Sequence, residues 1–175
     1  MEEFNLNRRR EFLRQMILGS GALIAFNPLS ASSVSNRLLD TIIADDLIKL
    51  TILHTNDVHS RIDPFPANDA KYAGLGGVAR RAAVIKKIRS QEKNVLLLDA
   101  GDIWQGTPYF NMYGGELEFK LMSEMNYDAS TIGNHDFDNG VEGLAKQLYH
   151  AKFPFINCNY DFSDTAMNEK TIPYK

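Results

Sequence analysis

The sequence predicts an α/β fold in which βαβ units build a largely parallel sheet. From residue 48 onward, short apolar segments alternate with segments whose apolar residues recur at helical spacing. This alternation is typical of parallel strands joined by helices that pack on the sheet. Polar residues and glycines cluster after the predicted strands, where open parallel sheets bind their ligands.

Four strands are predicted, at residues 48–53, 95–98, 129–132 and 153–158. In the first, Ile48, Leu50 and Ile52 alternate with their neighbours, as in a strand. The second is a continuous apolar run, which indicates a strand buried on both faces. Pro154 favours an edge position or a strand start for the fourth.

Three helices are predicted between these strands from apolar residues at helical spacing. They are marked by Val78, Ala82, Ile85 and Ile88, by Leu117, Leu121, Met122 and Met125, and by Leu144 and Leu148. The glycines of residues 74–77 lack the Gly-Lys-Ser/Thr ending of a phosphate-binding loop, so they favour a tight turn into the first helix. His150 lies near the end of the third helix, where its side chain is expected to be exposed to solvent.

The N-terminal segment has the pattern of an export signal. Three arginines, Arg8–Arg10, precede an apolar stretch from Met16 to Phe26 that is short for a membrane span. Residues 9–14 resemble the twin-arginine motif, which implies the twin-arginine export machinery as a partner and a periplasmic or extracytoplasmic location. An uncleaved anchor or an amphipathic surface helix is the alternative.

This pattern divides the chain into a signal peptide at residues 1–35, a linker at 36–46 and a catalytic segment at 47–175. Leu29-Ser30-Ala31 is a weakly marked cleavage site.

The charge and cysteine content exclude several classes of function. The formal net charge is −3, with both signs spread along the chain, so neither a nucleic-acid polymer nor a polybasic membrane contact is expected. Cys158 is the single cysteine, which rules out an intramolecular disulfide. Its apolar neighbours predict a buried structural thiol in the fourth strand rather than a nucleophile.

Candidate metal ligands follow three successive predicted strands. Asp57 and His59 follow the first strand, Asp102 follows the second, and Asn134 and His135 follow the third. Because parallel strands end at one edge of a sheet, these side chains are expected to meet there. Each residue alone also fits a helix cap or a turn. Their convergence predicts a metal site.

The residue types suit two divalent cations. Asp57 and His59 can reach one cation from a single loop, and the two oxygens of Asp102 can bridge to a second. The amide oxygen of Asn134 is a neutral ligand for that second cation. Carboxylate, imidazole and amide ligands fit Mn, Zn, Fe or Co, without selecting among them. Two such ions can hold a phosphate and stabilise an in-line displacement.

His135 has a different predicted role, because it lies beside a ligand and can protonate a leaving alkoxide as a general acid. Asp138, three residues further on, can hold the other ring nitrogen of this histidine. Asp136 is the weaker candidate for that task.

The motifs Asp57-Val58-His59, Gly101-Asp102 and Gly133-Asn134-His135-Asp136 resemble the successive motifs of the calcineurin-like metallophosphoesterases. Longer segments resemble the 5'-nucleotidase branch of that family: residues 53–59, 76–80, 101–108 and 133–138. The resemblance runs from about residue 48 to residue 158. It implies a partial calcineurin-like metallophosphoesterase fold.

The resemblance also implies roles for individual residues. Asp57, His59 and Asp102 would hold one metal ion, and Asp102 and Asn134 the other. His135 and Asp138 would form the catalytic pair. The implied activity is hydrolysis of phosphate monoesters of nucleotides outside the cytoplasm.

Further histidine ligands of the family lie in a lone histidine motif and a Gly-His-x-His motif, and the sequence after Asn134 contains neither. The family's substrate-binding domain is also absent from the sequence. We therefore expect a chain truncated before the second half of the fold, with little activity alone. The alternatives are an inactive metal-binding fragment and a thiosulfohydrolase-like relative.

Overall fold

The computed structural model describes residues 48–174. The predicted signal peptide at 1–35 and linker at 36–46 lie outside the described residues. The strands are β1 (Thr51–Thr55), β2 (Val95–Asp99) and β3 (Ala129–Ser130). The α-helices are α1 (Val78–Gln91), α2 (Pro108–Tyr113), α3 (Glu116–Glu124) and α4 (Gly140–Gln147). Short 3-10 helices span His135–Phe137 and Leu148–His150.

The three strands form a parallel sheet in the order β1-β2-β3, which confirms the predicted α/β class. The whole of β1 pairs with β2, so that Thr55 lies opposite Asp99. Asp99 in turn lies opposite Ser130 of β3. The carboxyl ends of all three strands are therefore level, and the loops that follow them share one edge.

The fourth predicted strand is the largest departure from the expected elements. Residues 153–158 form only isolated bridges, between Phe155 and Ser130 and between Ile156 and Ile172. Ser130 N–H donates to Pro154 O at 3.1 Å, and Ile156 N–H donates to Ser130 O at 2.8 Å. The segment thus lies beside β3 where a fourth strand would lie, but it pairs with β3 at only one bridge and then leaves the sheet.

Two expectations about single side chains are wrong. Cys158 is exposed rather than buried, because the chain leaves the sheet before this residue. The His150 side chain is only 9% exposed, with Nε2 3.7 Å from a Glu116 carboxylate oxygen. Its ring lies 3.8 Å from that of Tyr149. The helix terminus therefore folds back onto α3 instead of entering solvent.

Other elements agree with the sequence more closely. The first strand begins at Thr51 rather than at Ile48, and Ile48 and Ile52 are exposed. The glycine-rich segment forms the turn that leads into α1, where Gly74 N–H donates to Phe65 O at 2.9 Å. None of the helices within residues 48–174 has the length and apolar character needed to cross a bilayer.

The hydrophobic core joins Leu97 of β2 to apolar residues of all four α-helices and of the loop that follows β2. Trp104 is fully buried, and its ring lies 5.5 Å from that of Phe110 and 5.1 Å from that of Phe119. Ile103 and Met122 are also buried there. Because Ile103 and Trp104 directly follow Asp102, burying them anchors the loop that carries this carboxylate.

Candidate metal centre

The loop after β1 runs alongside the loop after β2 and is tied to it by backbone hydrogen bonds. Asp57 N–H donates to Gly101 O at 3.0 Å, His59 N–H to Asp102 O at 3.2 Å, and Ser60 N–H to Ile103 O at 2.8 Å. Backbone hydrogen bonding between the two chain segments thus continues past the ends of β1 and β2 into the loops. This pairing brings Asp57 and His59 close to Asp102.

The backbone of these loops is strained where the candidate ligands sit. Asp57, His59 and Asp102 have φ values of 50°, 45° and 54°, which are left-handed conformations that non-glycine residues rarely adopt. Such residues cost free energy and persist only where the surrounding structure enforces them, most often at functional sites.

Asp57, His59 and Asp102 bring one ligand atom each to within 4.8 Å of one another. His59 Nε2 lies 3.9 Å from Asp57 Oδ1. His59 Nδ1 lies 3.0 Å from Trp104 O and donates a hydrogen bond to it, which leaves the Nε2 lone pair available to a cation. Two carboxylates and a neutral imidazole fixed in this tautomer are a fitting ligand set for a first-row divalent ion.

Asp136 organises the loop of Asp102, a role that its position in the sequence does not reveal. The carboxylate is fully buried and accepts four backbone N–H groups. The donors are Asp102 at 3.0 Å, Ile103 at 2.9 Å, Trp104 at 3.1 Å and Gly133 at 2.8 Å. Its carboxylate oxygens face these amides, so Asp136 does not hold the ring of His135.

The charge state of Asp136 reflects two opposing effects. Burial raises the pKa of this carboxyl to about 6, although its backbone hydrogen bonds favour the charged form. All four partners are donors, so protonating either oxygen would displace one of them. The carboxylate is therefore the form that fits this loop at neutral pH.

The loops after β2 and β3 touch through two glycines. A Cβ on Gly133 would overlap the backbone nitrogen and Oδ1 of Asp102, and a Cβ on Gly101 would overlap Gly133 N. Gly101 also has a φ of 92°. Side chains at these positions would push Asp102 away from the other ligands.

Asp99 links all three strand ends and was not singled out from the sequence. Its carboxylate accepts hydrogen bonds from Thr55 Oγ1 at 2.5 Å, Gly101 N at 2.9 Å and Ser130 Oγ at 3.2 Å. Burial raises the pKa of Asp99, and these hydrogen bonds oppose that rise. The only sequence signal was a carboxylate at the end of an otherwise apolar strand.

His135 and Asp138 lie in contact at the rim of the site. His135 Nδ1 is 3.2 Å from Asp138 Oδ2, and the His135 ring centroid is 5.3 Å from that of His59. His135 N–H also donates to Asp102 Oδ1 at 2.9 Å. The hydrogen bond to Asp138 raises the pKa of His135, because the carboxylate stabilises the imidazolium.

Asn134 sits one residue before the 3-10 helix that begins at His135, and it is exposed. The backbone thus carries it to the same edge as Asp102. The role of Asn134 as a ligand stays a prediction.

A family model described as calcineurin-like phosphoesterase matches residues 50–172. The 5'-nucleotidase of Homo sapiens is 49% identical over 135 residues, which are 73% of this chain and 24% of that protein. A snake venom 5'-nucleotidase of Crotalus adamanteus is 47% identical over 121 residues, which are 67% of this chain and 21% of that protein.

The crystal structure of a 5'-nucleotidase precursor from Thermus thermophilus superposes with a TM-score of 0.66 at 39% identity. The superposition covers 72% of this chain and 25% of that one. The chain thus spans between a fifth and a quarter of the length of these three proteins.

Proposed function

Since the chain belongs to the calcineurin-like phosphoesterase family, we propose that its protein is a metal-dependent phosphomonoester hydrolase that acts on nucleotides. The observation that carries this proposal is the convergence of Asp57, His59 and Asp102 beside the His135–Asp138 pair. Ligands for a divalent cation and a proton donor thereby share one edge of the sheet.

Two divalent ions would be held by this edge. Asp57, His59 and Asp102 would hold the first ion, while Asp102 and Asn134 would contribute to the second. Divalent ions, when bound, supply Lewis-acid activation of the phosphoryl group and its nucleophile. Mn, Zn, Fe and Co all suit these ligands.

His135 is the proposed general acid. Asp138 accepts from Nδ1–H, which leaves the Nε2–H of the imidazolium to donate its proton to the oxygen that leaves the phosphorus atom. A water oxygen bonds to phosphorus as the ester P–O bond breaks, and the alcohol departs neutral with the proton from His135. The attacking water releases a proton to solvent, from which His135 is protonated again, while Asp138 keeps the ring oriented.

Nucleoside monophosphates are the proposed substrates, because the three similar proteins described above are named 5'-nucleotidases. In residues 48–174 one group of three acidic or histidine ligands is close enough to share a cation. For the second ion the described residues offer only Asp102 and Asn134, and two protein ligands hold a cation loosely, so we expect slow turnover from these residues alone.

The assay measures phosphate release from nucleoside monophosphates by the protein expressed from its whole gene. Chelation is expected to abolish release and Mn²⁺ to restore it. His135→Ala is expected to lower kcat by about 10²–10⁴-fold while the bound metal stays near the parent level. Release that survives exhaustive chelation would contradict the proposal, and sulfate release from a thiosulfonate would favour the thiosulfohydrolase alternative.

Export by the twin-arginine route is proposed on Arg9, Arg10 and the apolar stretch that follows them. Residues 1–35 fused to a reporter that is active only after folded export are expected to carry it out of the cytoplasm. Replacing Arg9 and Arg10 with Lys is expected to block that export. An unchanged signal from this double variant would argue against the twin-arginine route.

A further inference from the structure

A small cavity lies behind the loop that carries Asp57 and His59, between that loop and helices α1 and α3. Most of its wall is apolar, formed by Val58, Ile62, Ile103, Leu121 and Met122. Four polar or charged residues, Ser60, Arg61, Arg81 and Glu118, also line it. A polar group in such a place costs free energy unless it has a hydrogen-bond partner.

Polar atoms of three of these side chains have no hydrogen-bond partner among the described residues. Ser60 is 1% exposed and Glu118 is 3% exposed. Within residues 48–174, Ser60 Oγ, Arg81 Nε and both carboxylate oxygens of Glu118 are buried without a hydrogen bond. Four unsatisfied atoms around one cavity call for a shared partner that is itself polar.

The cavity has the size of one water molecule. The volume open to the centre of a water is about 10 Å³, at the lower limit that a single water needs. A water there can accept from Arg81 Nε and donate to Glu118, and the Ser60 hydroxyl can complete its bonding. Its neighbours therefore match what a buried water requires.

Ser60 connects this cavity to the metal ligands. It directly follows His59 and has a left-handed φ of 49°. Its N–H donates to Ile103 O at 2.8 Å, and its carbonyl oxygen accepts from Thr107 Oγ1 at 2.7 Å. The backbone of Ser60 is thus fixed from two sides, and the hydroxyl is left to be fixed from within the cavity.

We propose that one water in this cavity bridges Glu118, Arg81 and Ser60, and that Glu118 is thereby a positioning residue for the strained loop of residues 57–60. The role of that loop in metal binding rests on the proposed function, whereas the bridge itself does not. Glu118 touches no predicted ligand, so it acts on His59 only through the water and Ser60.

The test uses amide hydrogen exchange of the metal-free 175-residue chain, with the amides of Asp57, His59 and Ser60 read against those of β2. Glu118→Leu removes the acceptor and is expected to speed exchange at the loop amides by about 3- to 10-fold relative to β2, the equivalent of one lost hydrogen bond. Glu118→Gln keeps an acceptor oxygen and is expected to restore most of the protection.

Two further variants keep the test decisive. Glu116→Gln changes an exposed carboxylate on the same helix, paired with Lys120, and is expected to leave the loop amides at the parent rate. Ser60→Ala removes only the hydroxyl at the other end of the bridge and is expected to reproduce the loop-specific acceleration of Glu118→Leu. If Glu118→Leu fails to fold, Ser60→Ala alone tests the water bridge.

Loop exchange at the parent rate in Ser60→Ala would overturn the inference, as would acceleration in the same proportion at the loop and at β2. Mn²⁺ affinity, read by electron paramagnetic resonance, separates this outcome from failure of the proposed function. Both ideas together predict that Ser60→Ala weakens Mn²⁺ binding by a similar 3- to 10-fold. If the parent chain binds no Mn²⁺, the proposed metal site is refuted, and the hydrogen-exchange rates still test the water bridge.

Discussion

Asp136, in the 3-10 helix that follows β3, and Asp57, in the loop after β1, are both aspartates at the carboxyl edge of the sheet, yet they are held in opposite ways. Asp136 is fully buried and accepts four backbone amides, whereas the Asp57 side chain is 57% exposed and contacts its neighbour Asn56. Asp136 is therefore a carboxylate that holds the structure of the site, whereas Asp57 is a carboxylate that is free to bind a metal ion.

The same contrast applies to the two loops as a whole. The Asp102 loop is held by hydrogen bonds to the Asp136 carboxylate and by the packing of Trp104 against Phe119 in the core. The Asp57 loop is held by three backbone hydrogen bonds to its neighbour, which act against the cost of its left-handed backbone conformations. Mutations should therefore affect folding on one side of the site and metal binding on the other.

Asp136→Ala is expected to have the largest effect on stability. It leaves four backbone N–H groups without an acceptor, and each unsatisfied group that is buried, as those of Ile103 and Trp104 are, costs about 1–3 kcal/mol. Even with partial relaxation we expect a loss of at least about 3 kcal/mol in the free energy of unfolding. Urea denaturation of the 175-residue chain measures this change.

The matched control is Asp138→Ala, two residues away at the rim of the site. Its expected cost is within about 1 kcal/mol, because exposed pairs contribute little. Asp136→Asn sharpens the test, because its amide nitrogen would face N–H donors. An Asp136→Ala chain as stable as the Asp138→Ala chain would show that the four hydrogen bonds do not hold the loop.

Gly133→Ala is expected to be the next most damaging change. The new Cβ would overlap the backbone nitrogen and Oδ1 of Asp102, and inserting atoms into a close contact costs about 1–3 kcal/mol. Gly74→Ala is the control, since a Cβ there meets open space and only the left-handed φ is strained. Equal melting temperatures for the two variants would contradict the close contact of the loops.

Asp99→Asn is expected to change how stability depends on pH. Burial raises the folded-state pKa of Asp99, so the parent loses stability as pH rises from the unfolded value, about 3.9, through the raised folded value. The Asn variant lacks this titration. The difference in unfolding free energy between the two chains should move in favour of Asn across that window and then level off.

Denaturation series in the presence of a chelator, from pH 4 to pH 7, test this sign. A difference that stays flat, or moves in favour of the parent as pH rises, would show that Asp99 is not destabilised by its burial.

Asp57→Ala is expected to have the smallest effect on stability and a large effect on metal binding. The side chain is exposed and its backbone is strained, so removing the carboxylate should change the free energy of unfolding by no more than about 0.5 kcal/mol. Mn²⁺ titration of the same sample should show weaker binding. A large loss of stability without metal would place Asp57 among the residues that build the site.

The contrast also marks how far the sequence predicts the molecule. Parallel strands, helical spacing and the convergence of Asp57, His59 and Asp102 follow from local patterns and from the geometry of a parallel sheet. The role of Asp136 depends on two loops meeting, and no local pattern encodes that meeting. From the sequence, catalytic roles were assigned to its neighbours His135 and Asp138 instead.

The errors in predicting the end of the chain have a related cause. Residues 153–158 have the composition of a strand, but strand formation needs a partner with which to pair over several residues. Here pairing is limited to single bridges, and Cys158 lies beyond them in solvent. Glu118 was likewise hidden, because a buried carboxylate inside an amphipathic helix looks like any other surface charge in sequence.

The central claim is that His59 is a metal ligand and that His135 beside it is not. Spin-echo spectroscopy of Mn²⁺ bound to the chain labelled with ¹⁵N-histidine tests it directly, since the chain has four histidines and each can be replaced. One histidine nitrogen should couple to Mn²⁺ in the parent and in His135→Ala, and this coupling should vanish in His59→Ala. A coupling that survives in His59→Ala, or that disappears in His135→Ala, would contradict the account.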